Sequence, residues 1–142
     1  MKEENNKNET NCIFCKIING ELPSTKIFEN EKFLVFMDIR PVNHGHLLII
    51  PKEHIPWMQE APDEIIREIF VLAKNMMIAL KKAVNCDYVK QSVVGTEVPH
   101  FHIHLIPRYF GDNEINIANF KEYKDKEMEI WQEKIVKACD LF

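Results

Sequence analysis

Residues 99–108 read P-H-F-H-I-H-L-I-P-R, and this decapeptide constrains the chain more than any other stretch. His100, His102 and His104 alternate with Phe101, Ile103 and Leu105. Successive side chains on a strand point to opposite faces, so the three imidazoles are expected along one face while the apolar residues enter a core. Pro107 is expected to close the run, because proline cannot donate to a central ladder. Three readings fit such a row of rings: a half-exposed strand carrying surface histidines, a metal site, or a phosphate-handling site with a nucleophilic imidazole.

The other histidines, His44, His46 and His54, fall around a second strand-like run at residues 46–50 that ends at Pro51. Before it, residues 25–29 and 32–37 read as two strands of a hairpin, followed by a polar loop over residues 38–45. C-I-F-C-K-I-I-N-G, residues 12–20, gives a short helix with an apolar face and Asn19-Gly20 as its stop. Cys12 and Cys15 lie one turn apart there: a zinc half-site, a pair of core thiols or, without the usual βαβ context, a redox pair. From Asp63 to Val84 apolar residues recur at three and four, predicting a long amphipathic helix with Met76 and Met77 as core filling. A strand over residues 87–94 and a turn over 95–98 lead into the histidine run. A last helix is expected over about residues 121–139, with Ile130, Trp131, Ile135 and Ala138 inward.

A chain of 142 residues, 46% apolar, suits one core. Residues 12–142 are therefore expected to form a single domain behind a polar tail over residues 1–11. Net charge is -4 and no basic stripe is present, which argues against nucleic-acid binding. No apolar run approaches the roughly 20 residues of a membrane span, and the N-terminus lacks a signal peptide's apolar stretch, so a cytoplasmic protein without a membrane partner is expected. Four cysteines with only one close pair fit a reducing compartment.

The pattern His-φ-His-φ-His-φ-φ over residues 100–106 resembles the signature of the histidine triad (HIT) family, hydrolases and transferases acting at the α-phosphate of nucleotides. The segments C-I-F-C-K-I-I-N-G-E-L-P-S, F-L-V-F-M-D-I-R-P-V and G-H-L-L-I-I-P-K-E-H resemble further blocks of that family in the same order. The resemblance implies an α+β fold with a five-stranded antiparallel sheet, a short N-terminal helix, a long central helix and a C-terminal helix, usually as a homodimer. It implies a purine nucleotide such as AMP as substrate or product, with Ile13, Phe14, Ile17, Phe36 and Ile39 holding the base and Asp38 the ribose. His102 would be the nucleophile, forming a nucleotidyl-histidine intermediate. His104 and His46 would complete the catalytic group, and His44 falls outside the pattern as a loop residue. Members with Cys-x-x-Cys hold a structural zinc, which here would take Cys12, Cys15, His54 and His100. A nucleoside 5'-phosphoramidate hydrolase is the implied activity. A dinucleoside polyphosphate hydrolase, a nucleotidyl transferase and a nucleotide-binding or interaction module with little activity are the alternatives.

Two departures stand out. The turn before the triad reads Gly95-Thr96-Glu97-Val98, with Thr96 where the family commonly carries glutamine, and residues 89–92 contain no asparagine. Thr96 retains one hydroxyl donor for a phosphate. Glu97 is expected to point away from the site and accept a hydrogen bond from backbone or a partner subunit, since a carboxylate repels phosphate.

Overall fold

The computed structural model describes residues 11–112 and 120–141. The expected tail over residues 1–11 lies outside the described residues except for Asn11. Five strands, β1 (Lys26–Glu29), β2 (Phe33–Met37), β3 (Leu47–Pro51), β4 (Tyr88–Ser92) and β5 (Ile103–Arg108), form one antiparallel sheet in the order β1-β2-β3-β5-β4. Among the described residues, three α-helices of a full turn or more accompany it: α1 (Ile13–Ile18), α2 (Asp63–Val84) and α3 (Glu127–Ala138).

Alternation along the strands divides the interior in two. Phe33, Val35 and Met37 of β2, Leu47 and Ile49 of β3, and Ile103 and Leu105 of β5 enter the main core with Ile69, Leu72, Ala73, Met76 and Leu80 of α2. The residues between them, Leu34, Phe36, Leu48 and Ile50, face a smaller cluster under α1 with Cys12, Phe14 and Ile17. Both faces of β2 and β3 are thus covered, which explains why those strands are apolar throughout rather than alternating with polar residues.

α2 has the expected bounds. Asp63 and Glu64 sit in its first turn, Lys81 and Lys82 in its last, and Asn85 ends it in the left-handed region at φ 52°. α3 begins later than expected, because residues 121–124 run along the loop between β2 and β3 instead: the Lys121 N–H donates to the Pro41 carbonyl (2.7 Å), and the Gly45 N–H donates to the Tyr123 hydroxyl (2.8 Å). Met128, Trp131, Ile135 and Ala138 form the inward stripe of α3. Ile130, expected inward, is 52% exposed, since it sits one residue and therefore about 100° off that stripe.

The histidine run is extended over a shorter length than its alternation predicts. The β5 ladder starts at Ile103, opposite Ile49, and the segment before it pairs elsewhere, with the Phe101 N–H donating to the Ile55 carbonyl (2.6 Å). Nor does Pro107 end the strand. It pairs with Val89 of β4, while the last β3 pair is Leu47 with Leu105, so its missing N–H points where β3 offers no acceptor. Its carbonyl, on the same side, accepts from Asn43 Nδ2 (2.8 Å). Gly45, at φ 90°, makes the close approach that this corner needs; a Cβ there would lie 3.1 Å from Pro107 Cγ.

Candidate active site and metal centre

His100, His102 and His104 follow one another along the α1 face. Phe14 packs edge-on against the His100 and His102 rings (centroids 5.9 and 5.0 Å), and the His102 and His104 rings lie 4.8 Å apart. Their ring nitrogens divide them into two groups.

His100 turns away from the cavity. Its Nε2 lies 2.8 Å from the Pro51 carbonyl, which can only accept, so the proton is on Nε2 and a lone pair on Nδ1. That lone pair meets Cys12 Sγ at 3.3 Å, Cys15 Sγ at 3.5 Å and His54 Nδ1 at 3.3 Å, and Cys15 Sγ lies 3.2 Å from His54 Nδ1. The four ligand atoms lie within 4.8 Å of one another. A tetrahedral zinc with bonds of about 2.0–2.1 Å to nitrogen and about 2.3 Å to sulfur sets its ligands roughly 3.3 to 3.8 Å apart, close to the spacing found. Two thiols and two imidazoles converging in this way can hold a metal ion. His54 Nε2 is buried without a hydrogen-bond partner among the described residues, a departure from the usual support given to a metal-bound imidazole.

His102 donates Nδ1–H to the His100 carbonyl (2.6 Å), which fixes its tautomer and leaves the lone pair on Nε2. The backbone of one candidate metal ligand therefore orients the neighbouring ring. Next to His102, the Val42 N–H donates to His46 Nδ1 (3.1 Å), so His46 carries its proton on Nε2 and donates it to His104 Nδ1 (3.0 Å). His104 must then carry its own proton on Nε2. Burial, aided by the neighbouring rings, holds His46 down at about 3 and His104 at about 4, so both are neutral near pH 7. Burial also lowers His102, against the opposing pull of the His100 carbonyl and the Glu97 charge.

These rings open on a cavity of about 440 Å³. Ile13 and Phe14 from α1, Ile39 from the loop after β2, and Leu48 from β3 give it apolar walls. Asp38 lines it too, with Oδ1 accepting the Arg40 N–H (2.9 Å) and burial raising its pKa. Thr96 is on the wall formed by residues 94–98. Two expected base contacts do not line the cavity: Ile17 and Phe36 are buried in the small cluster behind Phe14, because the face that α1 turns to the sheet is not the one it turns to the opening. Glu97 also departs from expectation. It lines the cavity with His102 and Asp38 rather than pointing away, and its charge acts on both.

Leu48 and Ile106 were reachable from sequence, lying two residues beyond His46 and His104 and so on the same strand faces. Arg40 and Phe120 were not. Phe120 reaches the rim from the C-terminal segment, where the Arg40 guanidinium stacks over its ring at 4.6 Å. A larger, shallow groove of about 640 Å³ between the β1–β2 turn and α2 is lined by no histidine or cysteine; its Lys32 is ion-paired with Glu68 (3.0 Å) and its chemistry suggests no reaction.

A family model for the HIT domain matches residues 19–111. An uncharacterised HIT-like protein of Methanocaldococcus jannaschii is 41% identical over 122 residues, 83% of this chain and 93% of that protein. The adenosine 5'-monophosphoramidase of Saccharomyces cerevisiae is 41% identical over 98 residues, 68% of this chain and 62% of that protein. Among solved structures, a Zn-bound histidine triad family protein from Mycobacterium smegmatis superposes with a TM-score of 0.80 at 27% identity, covering 94% of this chain and 96% of that one.

Proposed function

The chain belongs to the HIT domain family, and on that premise we propose that it hydrolyses a nucleoside 5'-phosphoramidate, or a related nucleotide, at the α-phosphate. The observation that carries this reading is the His102 tautomer: Nδ1–H is committed to the His100 carbonyl, leaving Nε2 as a neutral nucleophile. Nε2 attacks the α-phosphorus as the P–N bond breaks, and the electron pair of that bond leaves with the amine. His104 keeps its Nε2–H, because its Nδ1 accepts from His46, and donates that N–H to a phosphoryl oxygen as negative charge builds there. The departing amine takes its proton from solvent. Water then attacks the phosphorus of the nucleotidyl-His102 intermediate, loses a proton to solvent, frees His102 Nε2 and releases the nucleoside monophosphate. His46 positions His104 throughout. Ile13, Phe14 and Ile39 hold the base, Asp38 the ribose, and Thr96 a phosphate oxygen. The likeness to a yeast adenosine 5'-monophosphoramidase favours an adenine nucleotide and a P–N bond.

The second element of the proposal is a structural zinc on Cys12, Cys15, His54 and His100, supported by the converging donors and the Zn-bound relative. Zinc there supplies a crosslink and no reacting group. The reduced thiols it needs fit a cytoplasmic protein. A homodimer is the third element, supported by the exposed Val71 and Ile78 on α2 and by the open edge of β4. Light scattering reads the mass directly, and a monomer at micromolar concentration overturns that element.

The test is mass spectrometry after incubation with adenosine 5'-phosphoramidate, looking for a nucleotidyl adduct on His102. His102→Asn should lose the adduct and turnover by about 10²-fold or more while AMP affinity changes by only a few-fold. AMP binding without adduct or turnover in the wild type would mark a binding module instead. Hydrolysis of dinucleoside polyphosphates alone would favour the runner-up among the enzymes.

A further inference from the structure

Residues 121–123 lie beyond the part of the chain matched to the HIT domain, yet they run beside the loop between β2 and β3 that carries Asp38, Ile39 and His46. The Lys121 N–H donates to the Pro41 carbonyl (2.7 Å), the Glu122 carbonyl accepts from His44 Nε2 (2.9 Å), and the Tyr123 hydroxyl accepts from the Gly45 N–H (2.8 Å). The Tyr123 ring also stacks on the His44 ring at 4.6 Å. The first of these bonds reaches the cavity. The Pro41 carbonyl and the Val42 N–H belong to one planar peptide unit. One end of that unit accepts from Lys121, and the other donates to His46 Nδ1 (3.1 Å), whose Nε2 donates in turn to His104 Nδ1 (3.0 Å). The result is one hydrogen-bonded chain from Lys121 to His104, in which each bond polarises the next. The rest of the loop is held otherwise, by Asn43 Nδ2 on the Pro107 carbonyl (2.8 Å) and by the Asp38 N–H on the His46 carbonyl (3.0 Å). Without Lys121 the Pro41–Val42 peptide plane can turn, and the Val42 N–H leaves its line to the ring.

Resting on the hydrolase reading above, we propose that the segment Lys121–Tyr123 is a positioning element for the reaction: through the Pro41–Val42 peptide it aligns His46, and through His46 the Nε2–H that His104 offers to the phosphoryl group. Lys121 acts by its backbone N–H and Tyr123 by its hydroxyl, which holds the Gly45 N–H next to His46. Neither residue lines the cavity, so the segment bears on turnover rather than on nucleotide affinity.

The test reads the hydrogen bonds themselves by nuclear magnetic resonance, since an N–H···N bond transmits a nitrogen–nitrogen coupling. Isotope-labelled wild type should show one coupling between the Val42 nitrogen and His46 Nδ1 and another between His46 Nε2 and His104 Nδ1. Lys121→Pro, which removes the N–H, should abolish the Val42–His46 coupling and lower kcat towards adenosine 5'-phosphoramidate by about tenfold with KM changed by no more than about twofold. Lys121→Ala, the conservative variant that keeps the N–H, should restore both. No Val42–His46 coupling in the wild type, a coupling that survives Lys121→Pro, or a kcat unchanged by that substitution overturns the proposal, whatever happens to Tm. Should Lys121→Pro fail to fold, Tyr123→Phe decides: a weakened coupling with a lower kcat supports the proposal, and either one unchanged overturns it. The couplings are read without substrate, so absence of turnover in the wild type sinks the hydrolase reading alone, and the Val42–His46 coupling, lost or kept in the variants, still decides on the segment.

Discussion

A neutral imidazole attacks only through the nitrogen that lacks a proton, so the hydrogen bonds behind each ring decide what the ring can do. His102 gives its Nδ1 proton to a carbonyl, while His46 receives one N–H and passes on another. The same burial that keeps His46 neutral makes the fold acid-sensitive. Its pKa falls from 6.5 to about 3 on folding, so between these values the unfolded chain binds a proton that the folded chain excludes. Stability from this group is complete above pH 6.5 and is lost as pH drops toward about 3. Urea midpoints measured from about pH 7.5 down to about 4.5 should decline, and His46→Asn should decline less steeply. Parallel slopes for the two proteins would show that His46 titrates freely in the native state. At this scale the convergence of Cys12, Cys15, His54 and His100 into a candidate metal centre was legible, because few residue types bind zinc and their pattern is distinctive. The direction of Glu97 was not: it sits in an irregular turn where strand alternation gives no phase.

α1 has six residues, too few to persist as an isolated helix; Phe14 and Ile17 hold it on the sheet, and Cys12 and Cys15 place it at the candidate metal centre. Cys12, whose sulfur accepts the Cys15 N–H, is also its N-cap. The other two donors stand on the segment after β3 and on the approach to β5, so one ion would join three separate stretches of chain. Cys15→Ser and His54→Ala should each release the metal, seen as loss of about one zinc per chain by elemental analysis, and lower Tm by roughly 5 °C or more. A Tm indifferent to chelator would rule out a structural ion. Element identities were readable where local signals were complete: α2 has acidic residues at its start, a left-handed Asn85 at its end and an unbroken stripe between. Boundaries failed where remote partners took the backbone, as at Lys121, drawn to Pro41, and Phe101, drawn to Ile55.

Across the molecule, α3 lies beyond the residues matched to the HIT family yet closes the main core, with Ile135 fully buried. Ile135→Ala should destabilise the protein by about 2–5 kcal/mol in urea unfolding, and an unchanged midpoint would make α3 peripheral. The antiparallel α+β architecture was legible because family-like blocks cover the sheet; the placement of α3 was not, since the segment before it has no periodicity to anchor its register. The strand order has a consequence for biosynthesis. β5, the last strand to leave the ribosome, belongs between β3 and β4, so β3 presents a fully apolar strand with one open edge until residue 108 emerges. Sheet completion must wait for nearly the whole chain and then insert its last strand into the middle. The nascent protein is therefore exposed longest to intermolecular pairing at Leu47–Pro51, and a stalled or truncated product ending before β5 would be an aggregation seed rather than a partly active fragment.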